Sequence, residues 1–107
     1  MRPGDVIVGL LPGAVETKIR PGVVIASETY LAERPDVLVG ILTTRTPIST
    51  TSSDYRLRDW QFAGLRTPSS FRMYVLTIHR SNVTVIGHLS ERDWEGVRVC
   101  VRSALAV

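Results

Sequence analysis

The sequence predicts a mainly β fold of the α+β class, with about five to seven short strands curled into a small barrel and closed by a C-terminal helix. Three observations predict it. Short β-branched apolar runs recur along the chain, each too brief for a buried helix and each bounded by glycine, proline or polar clusters. Only the last segment spaces its apolar residues at a helical period. At 107 residues the chain can bury one core as a single domain, residues 1–107, and curling the sheet is the natural way to hide its edges.

Taken in order, Gly4-Asp5 makes a turn and Val6 to Leu11 the first strand, ended by Pro12-Gly13. Ala14 to Ile19 reads as a polar connector carrying Glu16 and Lys18. Arg20 stands directly before Pro21, which keeps its backbone extended, and the β-branched run that follows carries a second strand to Ser27. Thr29 to Asp36 has room for one helical turn, limited by Pro35, before a third strand from Val37 to Thr44. The Ser/Thr-rich stretch from Arg45 to Asp54 reads as a long mobile loop of the kind that often carries function. Tyr55 to Trp60 alternates apolar with charged residues, as a half-exposed strand does. After a turn at Phe62 to Leu65 and Pro68-Ser69, two strands, Phe71 to Ile78 and Val83 to Leu89, meet around Ser81-Asn82 as in a hairpin.

The last element is a helix with clear punctuation. Ser90 caps it, Asp93 stands where a capping box places its acid, and Leu89 can staple against Trp94. Trp94, Val97, Val101, Ala104 and Leu105 form its apolar stripe, so Cys100 beside them reads as packing and Trp94 as a core anchor.

Composition excludes several classes. Apolar residues make up 44% and charged residues 21%, which indicates neither disorder nor a membrane protein. No apolar run is long enough to span a bilayer, and the Met1 to Asp5 start has no signal-peptide pattern, so the expected location is the cytoplasm. The lone Cys100 cannot form an internal disulfide, in keeping with a reducing compartment. Only His79 and His88 are present, and no pair of metal-binding side chains has helical or zinc-knuckle spacing, so neither a metal nor another cofactor is expected. Nucleotide-cradling glycine loops and nucleophile-elbow serines are also absent. His88, in an apolar strand, reads as structural, whereas His79 at a strand end is the better acid-base candidate.

Of the 13 basic residues 12 are arginine, and the net charge of +3 is unevenly placed. Residues 1–44 carry a net −1, residues 45–80 a net +4 and residues 81–107 none. A surplus made of Arg45, Arg56, Arg58, Arg66, Arg72 and Arg80 suits a polyanion-binding face, although solvated loop charge is the commoner meaning of such a run. Arg20 on one stiff strand, and Thr43, Thr44 and Arg45 at the end of another, suit an anionic oxygen such as a phosphate. RNA permits metal-free cleavage with so few parts, because its 2′-hydroxyl is the nucleophile and the protein need only orient, stabilise charge and move protons.

These residues resemble the MazF/PemK family of endoribonuclease toxins from bacterial toxin-antitoxin systems. The resemblance rests on Gly4-Asp5-Val6, on Arg20-Pro21 followed by Val23-Val24-Ile25, and on the apolar strand ending in Thr43-Thr44. It continues through Gly64-Leu65 with Pro68-Ser69, Arg72, and Gly87-His88-Leu89-Ser90 before the helix. It implies an SH3-like barrel that forms a homodimer, cleaves single-stranded RNA at short sequences without a metal, and is held inactive by an acidic antitoxin peptide.

By the same resemblance Arg20 matches the catalytic arginine and Thr43 the phosphate-binding hydroxyl, with Thr44 as an alternative that strand parity leaves open. Thr44, Arg45, Arg72 and His79 are the accompanying candidates for substrate contact. Two departures concern proton transfer. Glu16 lies four residues before Arg20, where some members have a glutamate five before, and Tyr74 stands where some carry an acid. Glu16 and His79 are the candidate proton-transfer groups, and Tyr74 is read as packing or stacking. The competing reading is a non-catalytic RNA binder, or a toxin that inhibits a protein target, on the same barrel.

Overall fold

The structure is a computed structural model and describes residues 1–13, 15–44 and 51–107. Six strands make one antiparallel sheet: β1 (Asp5–Pro12), β2 (Thr17–Val24), β3 (Asp36–Thr43), β4 (Asp54–Arg56), β5 (Ser70–His79) and β6 (Val83–His88), in the order β4-β5-β3-β2-β1-β6. A short helix α1 (Glu28–Glu33) joins β2 to β3, and α2 (Glu91–Ala104) follows β6. The α+β fold, with its curled sheet and C-terminal helix, agrees with the sequence prediction.

Both faces of the curled sheet carry apolar clusters. Val6, Val23, Leu42 and Phe71 pack with Leu89, Val97 and Cys100 beneath α2, and Trp94 lies against the same cluster. The opposite set, Ile7, Leu11, Val24, Val37, Val39 and Ile41, packs with Leu31 of α1. Strands apolar on both sides show no alternation to read, which is why parity in the sequence leaves Thr43 and Thr44 equivalent. Burial pushes the Cys100 thiol upward, as expected for a packing cysteine.

The outer edge of β6 is covered backbone to backbone. Gly64 has φ +88°, and a Cβ there would lie 2.6 Å from the Ile86 carbonyl oxygen. A side chain at Gly87 would likewise run into the Ala63 carbonyl. Glycine at both positions lets the turn before Leu65 close over the sheet edge.

Four local expectations change. Val83–His88 does not return along β5 as a hairpin: a 3₁₀ turn at Arg80–Asn82 carries the chain away, and β6 pairs with β1 near the other edge of the sheet. The reason is tertiary, since β1 is paired by β2 on one side and β6 fills its other edge. β2 begins at Thr17, because pairing with β1 extends to Pro12↔Thr17, so Arg20 sits inside a strand and not at its start. The strand expected from Tyr55 to Trp60 is only Asp54–Arg56. The helix before β3 starts one residue early, capped by Ser27, and Arg34 before Pro35 is extended and ends it. Of the expected loop from Arg45 to Asp54, residues 45–50 lie outside the described residues.

The capping box of α2 is only half formed. Ser90 Oγ accepts from the Asp93 N–H as expected. The Asp93 carboxylate instead accepts from Tyr55 Oη at 2.8 Å, from Arg58 N at 3.0 Å and from Asp59 N at 2.8 Å, tying the segment after β4 to the helix. Burial and the Asp93 hydrogen bond push the Tyr55 phenol up to about 12. Asp59 in turn accepts from Ser90 and a bidentate Arg92, and those bonds hold its carboxyl down at about 2.

Candidate functional site

The site lies where two strands part. β2 pairs with β3 only from Gly22↔Ile41 to Val24↔Val39. Beyond that point β2 continues beside β1 as far as Thr17, while β3 continues beside β5 to Thr43↔Ser70. A cleft of about 340 Å³ opens in this fork. Its walls include Glu16, Lys18 and Arg20 from one branch, Thr43 and Thr44 from the other, and Arg72 and Tyr74 from β5.

Register decides which side chains share a face. Gly22, Ile41 and Arg72 are cross-strand partners. Arg20 lies two residues from Gly22, and Thr43 two from Ile41, so both point to the side of the sheet that Arg72 occupies. Lys18, two residues further along β2 and opposite Leu11, shares that side. Thr44 belongs to the other parity, with Leu42, though it still borders the cleft.

A bulge shapes the β5 wall. Gly40 pairs with Val75 and Ile41 with Arg72, leaving Met73 and Tyr74 without partners on β3. Met73 packs against the cluster beneath α2, whereas Arg72 and Tyr74 are exposed toward the cleft. Bulges commonly re-aim side chains beside functional sites, and this one sets a cation and an aromatic ring on the same wall.

Arg20 is held by the hairpin it belongs to. Its Nε donates to the Leu11 carbonyl at 3.2 Å and its Nη2 to the Glu16 carbonyl at 3.0 Å. The Glu16 carbonyl also accepts from the Gly13 N–H at 2.8 Å. A side chain at Gly13 would run into the guanidinium, so any other residue there would push Arg20 out of this position. The guanidinium is thus anchored on one side before any ligand arrives, the preorganisation a charge-stabilising group needs. Three cations, Lys18, Arg20 and Arg72, and one carboxylate, Glu16, line the cleft together with the apolar Ile19 and Pro21. Such a surface attracts an anion carried on a partly apolar framework.

The structure brings together Glu16, Arg20, Thr43, Thr44 and Arg72, and leaves His79 apart. His79 is at the far end of β5, opposite Asp36, where its Nδ1 lies 2.7 Å from Ser81 Oγ and accepts from the Ser81 N–H to cap the 3₁₀ turn. Arg45 lies outside the described residues. His88 is structural, its Nδ1 2.8 Å from the nearly buried Asp5 carboxylate. Among the described residues no three His, Cys, Asp or Glu side chains gather so as to hold a metal ion. Lys18 and Tyr74 line the cleft although sequence reasoning gave neither a role in the chemistry. The signal for Lys18 was its even spacing from Arg20, which became informative only once Arg20 proved to lie within a strand.

The middle-third basic surplus also divides. The Arg80 guanidinium donates to the carbonyls of Leu31, Arg34 and Pro35, closing the C-terminal end of α1. Arg80 is therefore a structural cation. Arg56, Arg58 and Arg66 are exposed. Size alone does not select the site: a larger cavity of about 580 Å³ lies between α2 and the residues after β2, lined by Ile25, Trp94 and Val101, and contains none of the candidate residues. The fork is the better candidate because charge, hydroxyls and a carboxylate converge there.

No protein-family model and no curated protein matches the sequence. In three dimensions the chain has the fold of MazF-type toxins. It is similar to an endoribonuclease solved in complex with its cognate antitoxin from a mycobacterial species, with a TM-score of 0.78 and 13% identity over 100% of this chain and 96% of that one. It is also similar to MazF in the MazE-MazF complex from Deinococcus radiodurans, with a TM-score of 0.76 and 13% identity over 100% and 97% of the two chains. A third neighbour is the Mycobacterium tuberculosis toxin MazF-mt6, with a TM-score of 0.70 and 19% identity over 96% and 95%.

Proposed function

We propose that this chain is the toxin of a type II toxin-antitoxin system, an endoribonuclease that cuts single-stranded RNA in the cytoplasm without a metal. The observation that carries the reading is the fork cleft, which gathers Arg20, Arg72, a threonine hydroxyl and one carboxylate on a fold shared with endoribonuclease toxins. In this mechanism the ribose 2′-oxygen attacks the adjacent phosphorus and the bond to the 5′-oxygen breaks, giving a 2′,3′-cyclic phosphate and a 5′-hydroxyl. Arg20 and Arg72 hold the phosphoryl oxygens as negative charge builds, Thr43 donates a hydrogen bond to one of them, and the Glu16 carboxylate takes the 2′-hydroxyl proton. Thr44 and Arg45 contact the neighbouring nucleotides.

The chain acts as one toxin domain over residues 1–107, works as a homodimer, and is inhibited by an extended acidic antitoxin peptide. The net positive cleft and the exposed Arg56 and Arg58 support such a partner, and the antitoxin-bound neighbours offer a precedent. The deciding experiment incubates purified protein with a long unstructured RNA in chelator and maps the new ends. Cyclic phosphate termini at a recurring short sequence are expected, and a single 2′-deoxy substitution at that site should abolish cutting. Intact RNA at high protein concentration would instead favour a non-catalytic binder, the reading that Tyr74 in place of an acid supports.

A further inference from the structure

The mechanism above leaves one proton unassigned. The departing 5′-oxygen must gain one as its bond to phosphorus breaks, and arginine is a poor source because its guanidinium stays protonated throughout. Among the described residues lining the cleft, only Glu16, Lys18 and Tyr74 can exchange protons. Glu16, ionised to take the 2′ proton, has none to give at the start of the step. His79 is at the other end of β5, bonded to Ser81.

Lys18 is the only lysine in the chain. It is exposed within β2, paired opposite Leu11, and it lies two residues from Arg20 on the same side of the sheet. Two residues along a strand separate their backbones by about 7 Å, and a flexible four-carbon stem lets an ammonium reach an atom bonded to the phosphorus that Arg20 holds. An alkylammonium is a far stronger acid than an alcohol, so passing a proton from it to a forming alkoxide is downhill.

Resting on the ribonuclease reading, we propose that Lys18 is the general acid of the reaction, its Nζ delivering a proton to the leaving 5′-oxygen. The proton count closes. The 2′-hydroxyl proton goes to Glu16, the O2′–P bond forms, the P–O5′ bond breaks, and one Lys18 ammonium proton becomes the hydrogen of the 5′-hydroxyl. Exchange with water returns both side chains to their starting states. Lys18 is thereby a catalytic residue distinct from the charge-stabilising arginines.

A substrate whose 5′-bridging oxygen is replaced by sulfur tests this, because a thiolate departs without protonation. Lys18→Gln should lose about 100-fold or more on the ordinary RNA and stay within a few-fold of wild type on the 5′-thio RNA. Lys18→Arg, which keeps the charge but holds its protons too tightly to release one, should behave in the same way. Retained cleavage of the thio substrate also reports that the variants fold and bind. Equal losses on both substrates would reduce Lys18 to a phosphate contact and overturn the assignment, as would no loss on either. Tyr74→Phe should change cleavage of the two substrates by the same factor, and a loss confined to the oxygen substrate in that variant would transfer the role to Tyr74. A wild-type protein that cleaves neither substrate would reject the ribonuclease reading itself, an outcome distinct from all of these.

Discussion

Asp93 gives the sharpest test of how the helix and the segment after β4 are joined. Its carboxylate is fully buried and accepts from the Tyr55 hydroxyl and from two backbone N–H groups, of Arg58 and Asp59. Hydrogen bonds to a charged group are each worth about 1.5–3 kcal/mol, and removing the acceptor leaves its donors unsatisfied. The three do not add fully, since they converge on one carboxylate. Asp93→Ala should therefore cost about 4 kcal/mol, a large share of the roughly 5–15 kcal/mol that holds a domain together. At about 4–8 °C per kcal/mol, the melting temperature should fall by on the order of 20 °C. Asp93→Asn keeps one acceptor oxygen but turns an amide N–H₂ toward amide donors, so its loss should be intermediate. Urea unfolding followed by fluorescence of Trp60 and Trp94 measures all of this. Tyr55→Phe, made alone and with Asp93→Ala, isolates the phenol contribution, and the two losses should overlap by about 1 kcal/mol or more. A loss below about 1 kcal/mol for Asp93→Ala would show that this carboxylate does not hold the segment to α2, and the reasoning would fail.

The other predictions concern the cleft, pH and charge. Arg20→Lys keeps the charge but loses the fork that holds both the hairpin carbonyls and the phosphate, so cleavage should drop about 100-fold or more with the fold intact; unchanged activity would remove Arg20 from the site. Thr43→Ala should reduce cleavage more than Thr44→Ala, because register sets Thr43 on the Arg20 side, and equal effects would contradict that ordering. Tyr55, raised to about 12 in the folded state, contributes stability that is full below its unfolded value of about 10 and is lost as pH rises to about 12. Asp59, held at about 2, contributes stability that is present above its unfolded value of about 4 and is lost as pH falls toward 2. Melting curves should therefore decline in both windows, and Tyr55→Phe should flatten only the alkaline one. Arg80→Ala frees the Leu31 and Arg34 carbonyls at the end of α1, leaving Pro35 its bond from the backbone N–H of residue 80, and should cost about 1–3 kcal/mol without altering RNA affinity; weakened RNA binding would return Arg80 to the basic face. A non-cleavable RNA and an acidic antitoxin peptide should compete, both weakening with salt and with Arg56→Ala and Arg58→Ala, whereas independent binding would separate the two surfaces.

Local patterns determined most of the elements by themselves. Ser90 and the apolar spacing from Trp94 to Val101 specified α2, Pro35 the end of α1, and the β-branched runs the long strands, because caps, proline geometry and periodicity act within a few residues. The composition of the site was legible too, since Arg20, Thr43 and Thr44 stood out by residue type and strand position and the family resemblance added Glu16 and Arg72. Their convergence was not legible, because it depends on where the β2–β3 ladder stops and on a bulge that displaces Met73 and Tyr74, and neither leaves a mark in the local sequence. The same limit explains the hairpin expected at Ser81-Asn82, since nothing near that turn records that β1, far back in the chain, offers the edge that β6 takes. Asp93 shows the principle at one residue: its position reads as a helix cap, and tertiary packing gives its carboxylate to Tyr55 and the chain beyond β4. Turns, caps and strands are decided by neighbours in sequence, whereas a choice between faces that are both apolar, or between partners distant along the chain, is decided only when the sheet curls and its register is set.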